Sequence, residues 1–301
     1  MACFDYHLVY IIAKLGTFNT EKEQNINLNI ELVNYLSYIG TMNTDNSTKI
    51  NHLLNSQPRG TVFLTSWLKD KGYSLDLLKR YRKTDWLTSI GTGAMIRTGE
   101  NVTYEGALYS LQNQTDLEVH IGGKSALALL GKSHYLNLSQ EKLFLFGSKG
   151  QKLPTWFIDY NWGVQLIYKA SSFLPPKIGT KEMPLSSFSV QISNTARALM
   201  ECLYLASNKQ DILECYEVME GLNNLRPNHV QELLENCNSI KVKRLFLYLA
   251  EQTQHQWLEH LNPEKVDLGS GKRSLVKDGV YNPKYKMTVP KETEKHGESS
   301  F

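Results

Sequence analysis

The chain is poor in the residues that build metal centres and disulfide frameworks. It has four cysteines, Cys3, Cys202, Cys215 and Cys237, with no C-x-x-C pair and no ligand spacing to histidine, so neither a zinc site nor a disulfide scaffold is expected. Three of them fall on apolar positions of helical patterns, as buried, reduced thiols of a cytoplasmic protein do. Long apolar runs are missing as well. The stretch Leu8 to Ile12 is too short to span a bilayer and lacks the basic start and small-residue cleavage site of an export signal. Strong charge of one sign is absent too: a net +3, with 41% hydrophobic and 21% charged residues in 301, is the balance of a soluble globular chain, and the length suits about two domains.

Catalytic constellations are incomplete wherever they begin. Gly123-Lys124-Ser125, after an expected strand at Val119 to Ile121, mimics the end of a phosphate-binding loop, but Glu118 stands where that loop needs its first glycine. Lys124 keeps only the weaker option of meeting an anion at the start of the helix expected over Gly123 to Leu130. His255 and His260 lie roughly 140° apart on a helix, and Gln256 replaces the glutamate of an H-E-x-x-H metal motif, so a surface or core role is expected for both. Asp159 and Lys169, expected on successive strands, lack the second carboxylate of a magnesium nuclease, since Gln165 and Tyr168 take the nearby positions. No catalytic residue, metal or cofactor is expected.

What is present is concentrated between Gln57 and Arg97. Thr48 to Leu54 has the spacing of a short amphipathic helix, broken by Pro58, Arg59 and Gly60. A second helix is expected from Thr65, whose hydroxyl caps it, with Trp67 and Leu68 inward and Gly72 as the stop. A third opens at Ser74 and runs to Lys83. At about 100° per residue, Leu75, Leu77, Leu78 and Tyr81 fall on one arc and Asp76, Lys79, Arg80 and Lys83 on the other, with Arg82 at the boundary. Leu87 to Ile90, Gly91-Thr92-Gly93 and Ala94 to Arg97 read as a tight hairpin. Helix, helix, basic helix and hairpin in this order is the pattern of a winged helix-turn-helix.

Charged helices are usually solvated faces, and such modules also bind proteins. The crowding of Lys79, Arg80, Arg82 and Lys83 favours DNA, because phosphate contacts supply most of the affinity of such modules. On this reading Lys79, Arg80 and Lys83 hold phosphates, Arg82 reaches water or a phosphate from the boundary of the apolar arc, and Ser74 and Asp76 touch base edges. Thr65 and Ser66 in the second helix, and Thr92 and Arg97 in the hairpin, complete the DNA-binding set.

The run Pro58-Arg59-Gly60-Thr61-Val62-Phe63-Leu64-Thr65-Ser66-Trp67-Leu68, followed by Leu78-Lys79-Arg80-Tyr81-Arg82-Lys83-Thr84-Asp85-Trp86-Leu87 and Ile90-Gly91-Thr92-Gly93-Ala94, resembles the N-terminal domain of AbiEi antitoxins of bacterial type IV toxin–antitoxin systems. Tyr104 to Gln112 and Val119 to Leu127 resemble the opening of that family's second domain, and Asp267-Leu268-Gly269-Ser270-Gly271-Lys272-Arg273 resembles its closing segment. The resemblance implies a bifunctional regulator. It would bind double-stranded operator DNA as an autorepressor through the winged helix, and counter a nucleotidyltransferase-like toxin through the C-terminal domain.

The remaining sequence sets out the domains. Residues 1–41 are expected to be an extension, with Met42 as the native start; a genuine N-terminal arm is the alternative. Residues 42–102 form the expected DNA-binding domain and 103–290 the antitoxin domain, joined through an amphipathic helix over Thr103 to Gln112. Strands are expected at Tyr135 to Leu138, Leu143 to Phe146, Trp156 to Tyr160 and Val164 to Tyr168. Helices should follow at Asn194 to Ala206, Asp211 to Met219, Pro227 to Cys237 and Ile240 to Thr253. The fold class is therefore α+β, a winged helix-turn-helix followed by a mixed α/β domain with a helical second half.

Asp267 to Pro290 reads as a loop rich in cations and tyrosines. It suits a nucleic-acid or acidic-protein surface, or else a loop anchored by its tyrosines. Lys124, Lys272, Arg273, Lys277, Lys284 and Lys286 are the expected antitoxin surface. Residues 291–301 read as a disordered tail. Two other readings compete with the antitoxin: a stand-alone winged-helix regulator whose C-terminal domain senses a ligand or dimerises, and, well behind, a nuclease.

Overall fold

The computed structural model describes residues 49–132 and 142–294, in two compact units that divide after Gln57. Residues 1–41, Cys3, His134, the strand expected at Tyr135 to Leu138 and the last seven residues, 295–301, lie outside the described residues. The fold mixes helices and sheets in an α+β arrangement. In the first unit, helix α1 (residues 49–55) is closed by the Ser56 hydroxyl, which donates to the Leu53 carbonyl at 2.6 Å.

The second unit opens with β1 (Phe63–Leu64), α2 (Thr65–Asp70), α3 (Leu75–Lys83), β2 (Leu87–Gly91) and β3 (Ala94–Arg97), the strands forming an antiparallel sheet in the order β1-β3-β2. Thr65 does not cap α2 as expected. Leu64 holds the cap position while still paired with Ala94, so the helix leaves the strand directly and the Thr65 N–H donates to the Gly93 carbonyl at 2.9 Å. Gly72, at φ +85°, ends the helical turn, as a left-handed position favours. Ser74 caps α3 as expected, its hydroxyl accepting from the Leu77 N–H at 3.2 Å.

The body of the unit is built on a five-stranded mixed sheet, order β6-β5-β4-β8-β7. Its strands are β4 (His120–Ile121), β5 (Lys142–Ser148), β6 (Gln165–Ser171), β7 (Thr180–Pro184) and β8 (Ser189–Ser193). Three helices lie between or before these strands: α4 (Tyr104–Gln114), α5 (Gly123–Leu129) and α6 (Thr155–Asp159). The expected strand at Trp156 to Tyr160 is α6 instead. Trp156 and Phe157 are buried while Ile158 and Asp159 are exposed, a two-in, two-out pattern that an alternating strand does not give. Asp159 is therefore not on a strand beside Lys169.

Four helices follow close to their expected bounds: α7 (Thr195–Leu205), α8 (Lys209–Glu220), α9 (Pro227–Asn236) and α10 (Ile240–Gln252). Asn194 caps α7 and Ser239 caps α10 through their side chains. Asp267 to Pro290 is not a simple loop. It carries β9 (Arg273–Ser274), β10 (Val280–Asn282) and β11 (Met287–Val289), a small sheet in the order β10-β11-β9 with Met287 and Val289 buried. Nor are residues 291–294 a loose tail. Lys291–Thr293 form a 3-10 turn, and the buried Thr293 hydroxyl lies 3.0 Å from that of Tyr248.

One hydrophobic core is continuous from Val62 and Ala94 of the β1-β3-β2 sheet, through Ala107, Leu108 and Leu111 of α4, to Val289. Close approach at α4 allows this. Gly106 faces the turn before β1 so tightly that a Cβ there would lie 1.8 Å from the Gly60 carbonyl oxygen.

Candidate nucleic-acid interface

The third helix and the hairpin are held against each other by their buried sides. Leu78 and Tyr81 of α3 and Leu87 of β2 are buried, and the Trp86 N–H donates to the Tyr81 carbonyl at 3.0 Å. The hairpin turns at Gly93, φ +85°, and leaves Thr92 exposed at its tip. Next to that tip the hairpin packs on the body at Gly91, where a Cβ would stand 2.7 Å from the Cβ of Trp156.

Between α3 and the hairpin lies an open cleft of about 790 Å³, with Thr65, Leu75, Asp76, Lys79, Arg82 and Thr92 among the lining residues. Leu75, Lys79 and Arg82 are spaced i, i+4, i+7, so they share one helix face. That spacing explains why Leu75 is 57% exposed rather than inward as expected. It also draws Arg82 to the same side as Lys79, while Arg80 and Lys83 stand exposed outside the cleft. None of these four cations pairs with a carboxylate among the described residues. Ser66 and Ser74 are exposed, with Ser74 engaged as the α3 cap.

Arg97 is placed differently from the other cations. It is 8% exposed, its Nη1 donates to the Pro58 carbonyl at 3.0 Å and to Glu100 at 3.2 Å, and its guanidinium lies 4.8 Å from the centre of the Phe63 ring. A guanidinium so engaged fastens the chain before β1 and is not offered to phosphate.

The residues expected on an antitoxin surface are scattered in their engagement. Lys124 is paired with Glu214, which holds its ammonium above the ordinary lysine range against the opposing effect of burial. Lys272 lies 5.4 Å from the centre of the Tyr281 ring, and Lys284 is paired with Glu251 beside Tyr285. Arg273, Lys277 and Lys286 are exposed.

Sequence reasoning missed two buried polar hubs. The glycine-rich closing segment wraps the Arg244 guanidinium, which donates to the carbonyls of Leu268 at 2.6 Å, Gly269 at 3.0 Å, Gly271 at 2.7 Å and Lys286 at 3.3 Å. The second hub is Glu201, wholly buried on α7. Its carboxylate accepts from His120 Nε2 at 2.9 Å, Arg197 Nε at 2.8 Å, the Gly123 N–H at 2.8 Å and the Ser193 hydroxyl at 2.8 Å. Burial alone would raise the Glu201 carboxyl, but His120 and Arg197 reverse this and hold it below the ordinary carboxylate range. Glu201 thus occupies the start of α5, the place that the sequence offers to an external anion. The one signal in the sequence was an i, i+4 Arg197–Glu201 pair within an apolar helix.

Buried cysteines and the C-terminal histidines fill structural roles. Cys202, Cys215 and Cys237 are buried free thiols, His255 is buried with a ring nitrogen 2.6 Å from the Met219 carbonyl, and His260 is exposed. Among the described residues no group of three or more His, Cys, Asp or Glu is placed to hold a metal ion, and no helix is long and apolar enough to cross a membrane.

Two family models match the chain. One, described as a transcriptional regulator, AbiEi antitoxin N-terminal domain, covers residues 46–138. The other, described as a transcriptional regulator, AbiEi antitoxin, type IV TA system, covers residues 140–290. The chain is also similar to the crystal structure of the RV2827C protein from Mycobacterium tuberculosis, at 13% identity and a TM-score of 0.49, over 79% of this chain and 88% of that one. No curated protein matches the sequence.

Proposed function

The chain belongs to the AbiEi family of transcriptional regulators, antitoxins of type IV toxin–antitoxin systems, and we propose that it represses its own promoter by binding operator DNA through a winged helix-turn-helix. The observation that carries this reading is the face of α3 beside the hairpin, where Lys79 and Arg82 enter a cleft with Thr92 opposite and no carboxylate partner. In the proposed complex α3 lies in the major groove. Lys79, Arg80, Arg82 and Lys83 neutralise phosphates, Ser74 and Asp76 stand at base edges, Thr65 and Ser66 contact the backbone from α2, and Thr92 does so from the hairpin. Arg97 acts only by holding the module together.

The same proposal assigns the counteraction of a nucleotidyltransferase-like toxin to residues 103–290, with Arg273, Lys277 and Lys286 among the exposed cations of its closing segment. The two activities share one core, so they are best separated by surface substitutions rather than by truncation. A promoter fusion in cells that express the full chain together with the neighbouring toxin gene tests both. Replacing Lys79 and Arg82 with Ala should release the promoter and leave protection from the toxin intact; retained repression, or loss of protection in a folded variant, would contradict the division of labour.

A further inference from the structure

His120 is 3% exposed, and its Nε2 faces the ionised Glu201 carboxylate at 2.9 Å. In the neutral ring the proton therefore sits on Nε2 and Nδ1 is the open end. Among the described residues nothing bonds Nδ1, nor the Nη2 of Arg197, whose Nε and Nη1 are engaged by Glu201, Pro175, Pro176 and Ile178, and neither open atom is sealed from solvent. Two polar atoms on deeply buried side chains are thus left without a protein partner, to be met by water or by a ligand oxygen.

Both side chains line a narrow crevice of about 10 Å³ beside Phe146, Ser148 and Phe173, the room of about one water or one ligand oxygen. Glu118, His120 and Pro176 also border a wider cleft of about 430 Å³, reached by Lys177 and Thr180. That volume is within the range of small-molecule sites. Its wall is fixed in advance. The Gln112 carboxamide accepts from the Gln191 N–H at 2.9 Å and donates to the Val119 carbonyl at 2.8 Å, so the cleft does not need ordering when a ligand arrives.

We propose that this cleft binds a small molecule through an oxyanion group, phosphate or carboxylate, with one oxygen seated between His120 and Arg197 and another facing Lys177. The charged groups around His120 are Glu201 and Arg197 from α7, Glu118 from the chain before β4, and Lys177 from the chain before β7. Glu201 is already met by Arg197, His120, Gly123 and Ser193, so the donors left to an anion are Lys177 and the open Arg197 Nη2, joined by His120 Nδ1 in the ring's doubly protonated form. Glu118, whose carboxylate accepts from the Ser148 hydroxyl at 2.7 Å, is the one acid at the rim and opposes an anion there. Two substitutions at exposed residues then act in opposite directions: Lys177→Ala should weaken binding and Glu118→Gln should strengthen it.

The test is a titration of the full chain with inorganic phosphate and, separately, with acetate, followed through the histidine side-chain ¹H–¹⁵N signals and assigned with His120→Asn. A saturable shift of the His120 signal, with the buried His255 unmoved, is expected. The apparent affinity should fall several-fold in Lys177→Ala and rise in Glu118→Gln. Response to phosphate alone assigns a phosphorylated ligand, and response to both a carboxylate or phosphate ligand. An unmoved His120 signal with either probe, or equal affinity in wild type, Lys177→Ala and Glu118→Gln, would overturn the site. The readout is local to His120, so the outcome is independent of whether α3 binds DNA.

Discussion

Gln114 completes the outer edge of the strand that carries Leu64: its Oε1 accepts from the Leu64 N–H at 2.8 Å and its Nε2 donates to the Val62 carbonyl at 2.7 Å. With the Ser110 hydroxyl accepting from the Val62 N–H at 2.8 Å, α4 serves β1 as a neighbouring strand would. The module of α2, α3 and the hairpin is thus hydrogen-bonded into the body of the protein. Replacing Gln114 with Leu leaves two buried backbone groups unpaired, at about 1–3 kcal/mol each. A clear fall in the denaturation midpoint is expected; a stability within about 0.5 kcal/mol of wild type, the usual effect of an inconsequential surface change, would show that the clamp is dispensable.

Gly106→Ala should be worse than its size suggests. The added methyl would stand 1.8 Å from the Gly60 carbonyl oxygen, a backbone atom that cannot rotate away, so α4 must withdraw from the turn before β1. Overpacking of this kind costs about 1–3 kcal/mol or more. Limited proteolysis around residues 58–62 should accelerate in the variant, and an unchanged cleavage pattern would mean that the contact relaxes freely.

Acid should loosen the body through Glu201. Its folded pKa lies below the ordinary value of 4.5, so the stability it contributes is complete above that value and is lost as pH falls through the lower folded one. Glu201→Gln should therefore flatten the acid limb of the stability profile. At neutral pH it should also cost about 3–5 kcal/mol, because the buried Arg197 loses its counter-charge. Parallel acid limbs in wild type and variant would place the responsible carboxylate elsewhere.

Arg97 and Arg82 separate folding from recognition. Arg82→Ala should weaken DNA binding and reduce the slope of log affinity against log salt by about 1, as loss of one phosphate contact does, with little change in stability. Arg97→Ala should lower stability and, in the fraction that remains folded, leave the salt slope unchanged. The reverse pattern would return Arg97 to the interface.

The sequence puts both arginines in one DNA-binding set, since a cation at the end of a hairpin strand, as Arg97 is, carries no mark of which way it turns. Only the fold, by bringing Pro58, Phe63 and Glu100 around it, decides the question. Local signals were legible where the cause was local: the Ser74 cap, the Gly93 turn and the helices from Thr195 to Gln252 follow from capping and periodicity. Long-range partners were not. β7 has no apolar alternation and β8 alternates only at Val190 and Ile192, α6 is too short for a helical period, and the segment leading into the sheet within 273–289 has its carbonyls gathered by Arg244 from a distant helix. The exposed basic face of α3 was readable in outline. Its relation to the hairpin cleft was not, because helical periodicity alone turns Leu75 inward.

The central claim is that α3 and the hairpin read DNA. Fluorescence anisotropy of the full chain against duplex from its own upstream region and against a scrambled duplex, at several salt concentrations, tests it directly, with Lys79→Ala/Arg82→Ala/Lys83→Ala as the matched variant. The account predicts selective binding that weakens with salt, and a salt slope about 2–3 smaller in the variant. Equal binding to both duplexes, or an unchanged slope in a folded variant, would contradict it.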